Sequence, residues 1–337
     1  MDMILQSMFD CLKQGNNVYL PSKFWDALNR KNIDQLAGEG IRNIKRTVAQ
    51  NYFTWVIGRN HEQFRFLLKN TPLRAWPSMC GALMRPDKTL DLTRTKKMEL
   101  ILFTAMLWNY AKDRDREGLL AAMDEPLAGN PFKIYVNNKL VSQDLANSLL
   151  EYYSIREQFS PSAGTTSVCE LGAGYGRNAF VFLKAIPSCK YVIVDIPPAL
   201  HVSQHYLSEV FPEKKIFSFR CFKTYAEIEK EFESSDICFL LPHQAEVLPR
   251  KYFDLFINIS SLHEMKMDQI QTYFKLIDRL TRGCFYSKQW LVSNNPDDGT
   301  KITEGDYPVP PTWRELYHRT AKVQVSFFEA MYALGSE

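Results

Sequence analysis

Up to about residue 155 the apolar positions repeat with helical spacing. Ile4, Leu5, Met8, Phe9 and Leu12 follow an i, i+4 pattern, as do Val48, Tyr52, Trp55 and Val56, and Leu100, Phe103, Thr104 and Leu107; this spacing predicts amphipathic helices. Pro72, Pro77, Pro86, Pro126 and Pro131 punctuate them. Residues 140–154 read as a further helix with Ser142 as its N-cap. Strand-like alternation is scarce here. An all-helical N-terminal domain over residues 1–155 is therefore expected, with a polar, loop-like stretch at 160–167 after it.

From residue 168 the rhythm changes to short apolar runs alternating with helices, the signature of a mostly parallel sheet. Val168–Leu171 reads as the first strand, Tyr191–Asp195 as the second, Ile216–Phe219 and Ile237–Leu241 as apolar runs, Asp254–Ile259 as the fourth strand and Cys284–Trp290 as the fifth. Helices are expected over Arg177–Ala185, Ala199–Val210, Ala226–Phe232 and Asp268–Leu280, the last with a stripe of Ile270, Tyr273, Phe274 and Ile277. A polar loop from Asn294 to Pro311, a helix near Trp313–His318 and a final strand from Val323 complete the expected order. This is an α/β, doubly wound, nucleotide-binding sheet over residues 156–337.

The most informative string is Val-Cys-Glu-Leu-Gly-Ala-Gly-Tyr-Gly at 168–176, a strand entering a tight turn and then a helix. Glycine is needed where the backbone takes positive φ or approaches a ligand closely, and a helix N-terminus offers free N–H groups to it. Glu170 stands two residues before Gly172, where a dinucleotide fold carries an apolar residue. That fold's third glycine also falls one position later, at Arg177 in this chain. A carboxylate aimed at the turn suits a ligand with a cationic head, such as the ammonium of S-adenosylmethionine.

Asp195 follows Gly174 by 21 residues, the spacing of a carboxylate that grips ribose hydroxyls; its plainer alternative is an N-cap. Gln244, in Leu241-Pro242-His243-Gln244, has an amide able to pair with a purine edge, with a surface turn as the alternative. The segment Asn258-Ile259-Ser260-Ser261-Leu262-His263-Glu264 ends the fourth strand with more polar groups than a core strand needs. Histidine is the side-chain type suited to proton transfer at neutral pH, so His263 is the candidate general base, with Glu264 orienting it; a hydrogen-bonded structural histidine is the alternative. Lys288-Gln289-Trp290 ends the fifth strand on the same rim, as ion-pair partner or substrate contact. Asp297 and Asp298 read as a solvated turn rather than a metal site, and no metal is expected.

Composition narrows the class. At 337 residues, 45% hydrophobic and 23% charged, the chain is an ordinary globular protein with a sizeable core. A formal charge of +3 gives no electrostatic case for nucleic acid. Seven scattered cysteines (11, 80, 169, 189, 221, 238 and 284) form no C-x-x-C pair, which fits reduced thiols. The start, Met-Asp-Met-Ile-Leu-Gln-Ser, has no leader pattern, and Leu100–Tyr110 is far short of the roughly 20 apolar residues that span a bilayer. A cytoplasmic location without a transmembrane segment is expected.

The C-terminal half resembles the class I S-adenosylmethionine-dependent methyltransferases, and more narrowly the sugar O-methyltransferases found with bacterial surface-polysaccharide biosynthesis. The resemblance lies in Cys-Glu-Leu-Gly-Ala-Gly-Tyr-Gly-Arg at 169–177, Tyr-Val-Ile-Val-Asp-Ile-Pro-Pro-Ala-Leu at 191–200, residues 253–265 and Tyr-Ser-Lys-Gln-Trp at 286–290. Residues 142–154 and 45–55 extend it toward the N-terminus. It implies that Glu170, Gly172, Gly174 and Asp195 contact S-adenosyl-L-methionine. Ala173, Ile196, Gln244 and Asn258 complete the expected cofactor set by position.

The activity expected is therefore O-methylation of a sugar hydroxyl, within a nucleotide-sugar or a glycan. The N-terminal helices would shape the acceptor pocket, with Asn51, Tyr52, Trp55, Gln143, Asp144 and Asn147 available to it. A methyltransferase for another small molecule, a nicotinamide-dependent oxidoreductase and a non-catalytic module of the same fold are the competing readings. Glu170 and the missing glycine at 177 weigh against the oxidoreductase.

Overall fold

The computed structural model describes residues 2–52, 57–59, 61–295 and 298–335; Trp55, Val56 and Asp297 lie outside them. The first half is helical: α1 Met3–Leu12, α2 Lys23–Glu39, α3 Ala49–Tyr52, α4 Glu62–Lys69, α5 Trp76–Leu83, α6 Arg94–Lys112, α7 Leu119–Ala122 and α8 Gln143–Arg156. Ser142 caps α8 as expected, accepting from the Leu145 N–H at 3.0 Å. The expectation of an all-helical region is corrected in one place. A small hairpin, β1 Ile134–Val136 and β2 Lys139–Val141, turns on Asn137 and Asn138, both at positive φ, a conformation asparagine tolerates. Three-residue strands are too short to show alternation in sequence.

The second half alternates β3 Thr166–Leu171, α9 Arg177–Ala185, β4 Cys189–Val194, α10 Ala199–Val210, β5 Ile216–Phe217, α11 Glu229–Ser234 and β6 Ile237–Leu240. It continues with α12 Pro242–Ala245, β7 Phe253–Ile259, α13 Met267–Leu280, β8 Thr281–Trp290, β9 Val292–Asn295, β10 Thr300–Thr303, β11 Trp313–Thr320 and β12 Phe327–Leu334. Eight strands form one sheet in the order β11-β12-β8-β7-β3-β4-β6-β5. β12 is antiparallel to β8 and β11 antiparallel to β12, while the other neighbours are parallel. This is a mostly parallel, Rossmann-like sheet, with β5 at one edge. β3, β4, β6 and β7 are buried at every residue, because helices cover both faces of a parallel sheet.

Two expectations near the C-terminus are overturned. Trp313–His318 is not a helix but part of β11, an edge strand whose charged residues Arg314, Glu315 and Arg319 suit the outer margin of a sheet. The hairpin β9–β10, which begins at Val292, takes up the first part of the expected loop from Asn294, with Gly299 at φ +63°. Asp298 accepts from the Lys23 and Phe24 N–H groups at 3.2 and 3.3 Å, so it caps the start of α2. No group of metal-ligating side chains occurs among the described residues.

Buried apolar side chains of both halves form one contiguous core. A buried ionic cluster ties the halves together: Glu151 of α8 meets Arg177 of α9 at 2.6 Å and Lys288 of β8 at 2.8 Å. The chain passes from β3 outward through β4 and β6, then returns to β7 on the other side of β3. That reversal opens a crevice at the carboxyl ends of β3, β4 and β7, where ligands of such sheets bind.

Candidate active site

A cavity partly open to solvent occupies this crevice. Its floor is the turn after β3, with Glu170, Gly172, Ala173 and Gly174; Asp195 and Ile196 after β4 and Ser260 and Ser261 after β7 form its walls. The roof comes from the N-terminal half through Tyr19, Ser22, Trp25 and Tyr52.

The turn needs its glycines for two reasons. Gly172, Gly174 and Gly176 all have positive φ, of +72°, +59° and +90°. A Cβ on Gly172 would lie 2.4 Å from the Ser261 Oγ, and one on Gly174 would lie 3.3 Å from the Tyr52 ring. The glycines thus let the turn close against β7 on one side and leave space beneath the roof on the other.

Asp195 is buried beside this turn. Its Oδ2 accepts from the Gly174 N–H at 3.0 Å and its Oδ1 from the Ile196 N–H at 2.8 Å. Burial pushes its carboxyl up to about 7, against those two hydrogen bonds, with Glu170 and Glu264 adding to the rise. Burial also raises Glu170, whose oxygens accept from Asn178 Nδ2 at 3.0 Å and the Tyr191 hydroxyl at 2.8 Å. The Tyr52 hydroxyl has no partner among the described residues although it is buried, and its pKa is raised by burial and by the charge of Asp195. Arg177 also lines the cavity, but its guanidinium is engaged with Glu151 and Ser148. Two carboxylates and an unsatisfied phenol, beside a turn that exposes backbone to the cavity, suit a nucleoside with a cationic tail and disfavour a pyrophosphate.

Four expected residues sit elsewhere. Gln244 is buried and fully used: its Oε1 accepts from the Leu241 N–H at 2.9 Å and its Nε2 donates to the Arg220 carbonyl at 2.8 Å. It shapes the loop and leaves Pro242 as the cavity neighbour. Asn258 does not line the cavity either. Its Nδ2 donates to the Leu171 carbonyl and to Ser261 Oγ, and its Oδ1 accepts from Gln289 Nε2 at 2.6 Å.

His263, the expected base, is 3% exposed and also stands behind the wall. Its Nδ1 is 3.0 Å from Gln289 Oε1, its Nε2 is 3.5 Å from Glu264 Oε1, and Trp290 and Phe327 flank the ring. Glu264 does not reach the cavity wall. A continuous hydrogen-bonded row therefore runs from His263 through Gln289 and Asn258 to Ser261, and only Ser261 meets the cavity.

A second, smaller hollow adjoins the first at Ala49, which lines both. Gln143 and Asp144 line it together with the buried Lys45–Glu125 ion pair. Asp144 accepts from the Tyr175 hydroxyl at 2.7 Å, and Tyr175 lines the main cavity. Asn147 instead donates to Glu151, and Asn51 joins a network with Lys31, Asn32 and Gln35. The roof residues Tyr19, Ser22 and Trp25 escaped the sequence reading because nothing local distinguishes them from core and capping residues.

Neither a protein-family model nor a curated protein matches the sequence. Solved structures of similar architecture include methyltransferases. The arsenic(III) S-adenosylmethionine methyltransferase of Chlamydomonas reinhardtii is 17% identical over 57% of this chain and 73% of that one, with a TM-score of 0.34. The magnesium protoporphyrin IX methyltransferase of Synechocystis PCC 6803, solved with bound S-adenosylmethionine, is 11% identical over 56% and 77%, with a TM-score of 0.37. The mitomycin 7-O-methyltransferase MmcR is 10% identical over 93% and 76%, with a TM-score of 0.39. At such low identity and TM-score the likeness is one of general architecture and says nothing about acceptor.

Proposed function

We propose that this protein is an S-adenosylmethionine-dependent O-methyltransferase whose acceptor is a hydroxyl of a sugar or similar polyol. The observation that carries the reading is Asp195, buried at the cavity wall on the Gly174 N–H and facing the same space as Glu170. Bound there, S-adenosylmethionine would supply a methyl group on a positively charged sulfur. Asp195 would hold the ribose hydroxyls, the turn at 172–174 would approach the donor through its backbone, and the carboxylate of Glu170 would favour the cationic tail.

An alcohol acceptor must be aligned with the methyl group and lose its proton. The Ser260 and Ser261 hydroxyls stand at the cavity wall to receive an acceptor hydroxyl. His263 enters as a positioning residue, holding Gln289, Asn258 and through them Ser261 in one arrangement. The polar hollow at Gln143 and Asp144 supplies amide and carboxylate partners for further acceptor hydroxyls.

Incubation with methyl-labelled S-adenosylmethionine and a panel of sugar nucleotides, glycan extracts and non-sugar phenols tests this reading. Label in a carbohydrate product, with a mass increase of one methylene, is expected. Label confined to a phenol would overturn the acceptor class, and donor binding without any transfer would favour a binding module.

A further inference from the structure

The region between residues 63 and 90 has an outer surface of unusual composition. Its exposed ionisable side chains are all basic, Arg65, Lys69, Arg74, Arg85 and Lys88, with exposed Glu62 and Asp91 just beyond its two ends. Its one acid, Asp87, is buried and bonded to Arg46 and Thr89. Between these cations stand large apolar side chains open to solvent, with Leu73 85%, Met84 84%, Leu68 47% and Trp76 41% exposed. On α5 the buried residues Met79 and Ala82 face the core, while Trp76, Cys80 and Met84 follow an i, i+4, i+8 stripe on the outside.

Beside Met84 lies a shallow hollow whose margin carries Arg85, Lys88, Lys133 and Tyr135. Arg74 reaches Asp113 and Arg85 reaches Asn138, and both remain exposed.

We propose that this face, Arg65–Lys88 with Lys133, docks on an anionic membrane surface, inserting Leu73, Trp76 and Met84 while its cations meet lipid phosphates. Three physical arguments select that occupant. Cations of one sign over this stretch complement an anionic surface, and each adds to the attraction. Leu73 and Met84 are largely open to solvent, as shallow insertion at a headgroup boundary requires; tryptophan is the side chain favoured at that depth. Nucleic acid would reward the cations but gain nothing from protruding aliphatic groups. No helix among the described residues is long and apolar enough to cross a membrane, so the contact would be peripheral. The proposal does not depend on the donor or acceptor assigned above.

Co-sedimentation of the full chain with sucrose-loaded vesicles tests it. Vesicles with about one third phosphatidylserine should bind at least tenfold more tightly than pure phosphatidylcholine. The double variant Leu73→Gln/Met84→Gln and the triple variant Lys69→Gln/Arg85→Gln/Lys88→Gln should each lose about tenfold. All these positions are exposed, so circular dichroism and the melting curve should be unchanged. Equal binding to both vesicles, or no binding, would overturn the proposal. So would single-stranded DNA or polyglutamate binding that competes fully and is unaffected by Leu73→Gln/Met84→Gln, because the surface would then be an electrostatic one for a soluble polyanion.

Discussion

Replacing Asp195 by Asn tests the electrostatics of the cavity while keeping its shape. Burial raises this carboxyl from 3.8 to about 7. The unfolded chain ionises the group near pH 3.8, whereas the folded chain keeps its proton until about pH 7. Across that window the unfolded state binds fewer protons, so stability falls as pH rises. The contribution is fully present below pH 3.8 and lost through pH 7. At about 1.4 kcal/mol per pH unit, this carboxyl contributes at most about 4 kcal/mol to that decline. Asn carries no such proton. Urea unfolding of the donor-free protein and of Asp195→Asn, compared at roughly pH 5 and pH 8, isolates the term. The stability of the variant relative to wild type should rise by about 2–3 kcal/mol between those pH values. A difference that stays flat would refute the buried, proton-holding carboxylate.

Three further perturbations probe the scaffold. Burial would raise the Glu151 carboxyl, but Arg177 and Lys288 outweigh it and hold it at about 2; Glu151→Gln therefore removes the negative charge that these two buried cations share. A loss of about 3–5 kcal/mol in urea unfolding is expected, and a loss below about 1 kcal/mol would show the cluster to be solvated. Gly172→Ala should cost roughly 1–2 kcal/mol for positive φ alone, with the contact at Ser261 on top. A Ser261→Gly background should recover only the contact portion, and equal costs in both backgrounds would refute the tight packing of turn on β7. His263→Ala should keep affinity for S-adenosylhomocysteine within about twofold and lower kcat about tenfold, with the acid limb of the pH–rate profile unmoved. Loss of that limb would instead make His263 the base.

The sheet was legible because parallel strands buried on both faces leave continuous apolar runs, as in Tyr191–Val194 and Leu255–Ile257. The glycine turn and Asp195 were legible because positive φ and a strand-end carboxylate both restrict residue type. β11 was not, since an edge strand with Arg314, Glu315 and His318 exposed imitates the polar face of a helix. Gln244 and His263 illustrate a different limit. Each stands near the right strand end in sequence, yet neither lines the cavity, because sequence fixes the strand end and not the side a chain leaves it by. The roof, Trp25 and Tyr52 above Gly174, is a product of long-range packing between the two halves.

Calorimetric titration of S-adenosylhomocysteine into wild type and Asp195→Ala, with NAD as the control ligand, tests the donor site most directly. The proposed reading predicts one site per chain for S-adenosylhomocysteine, at least tenfold weaker binding by Asp195→Ala and no heat with NAD. Saturable NAD binding, with S-adenosylhomocysteine inert or indifferent to the substitution, would contradict it.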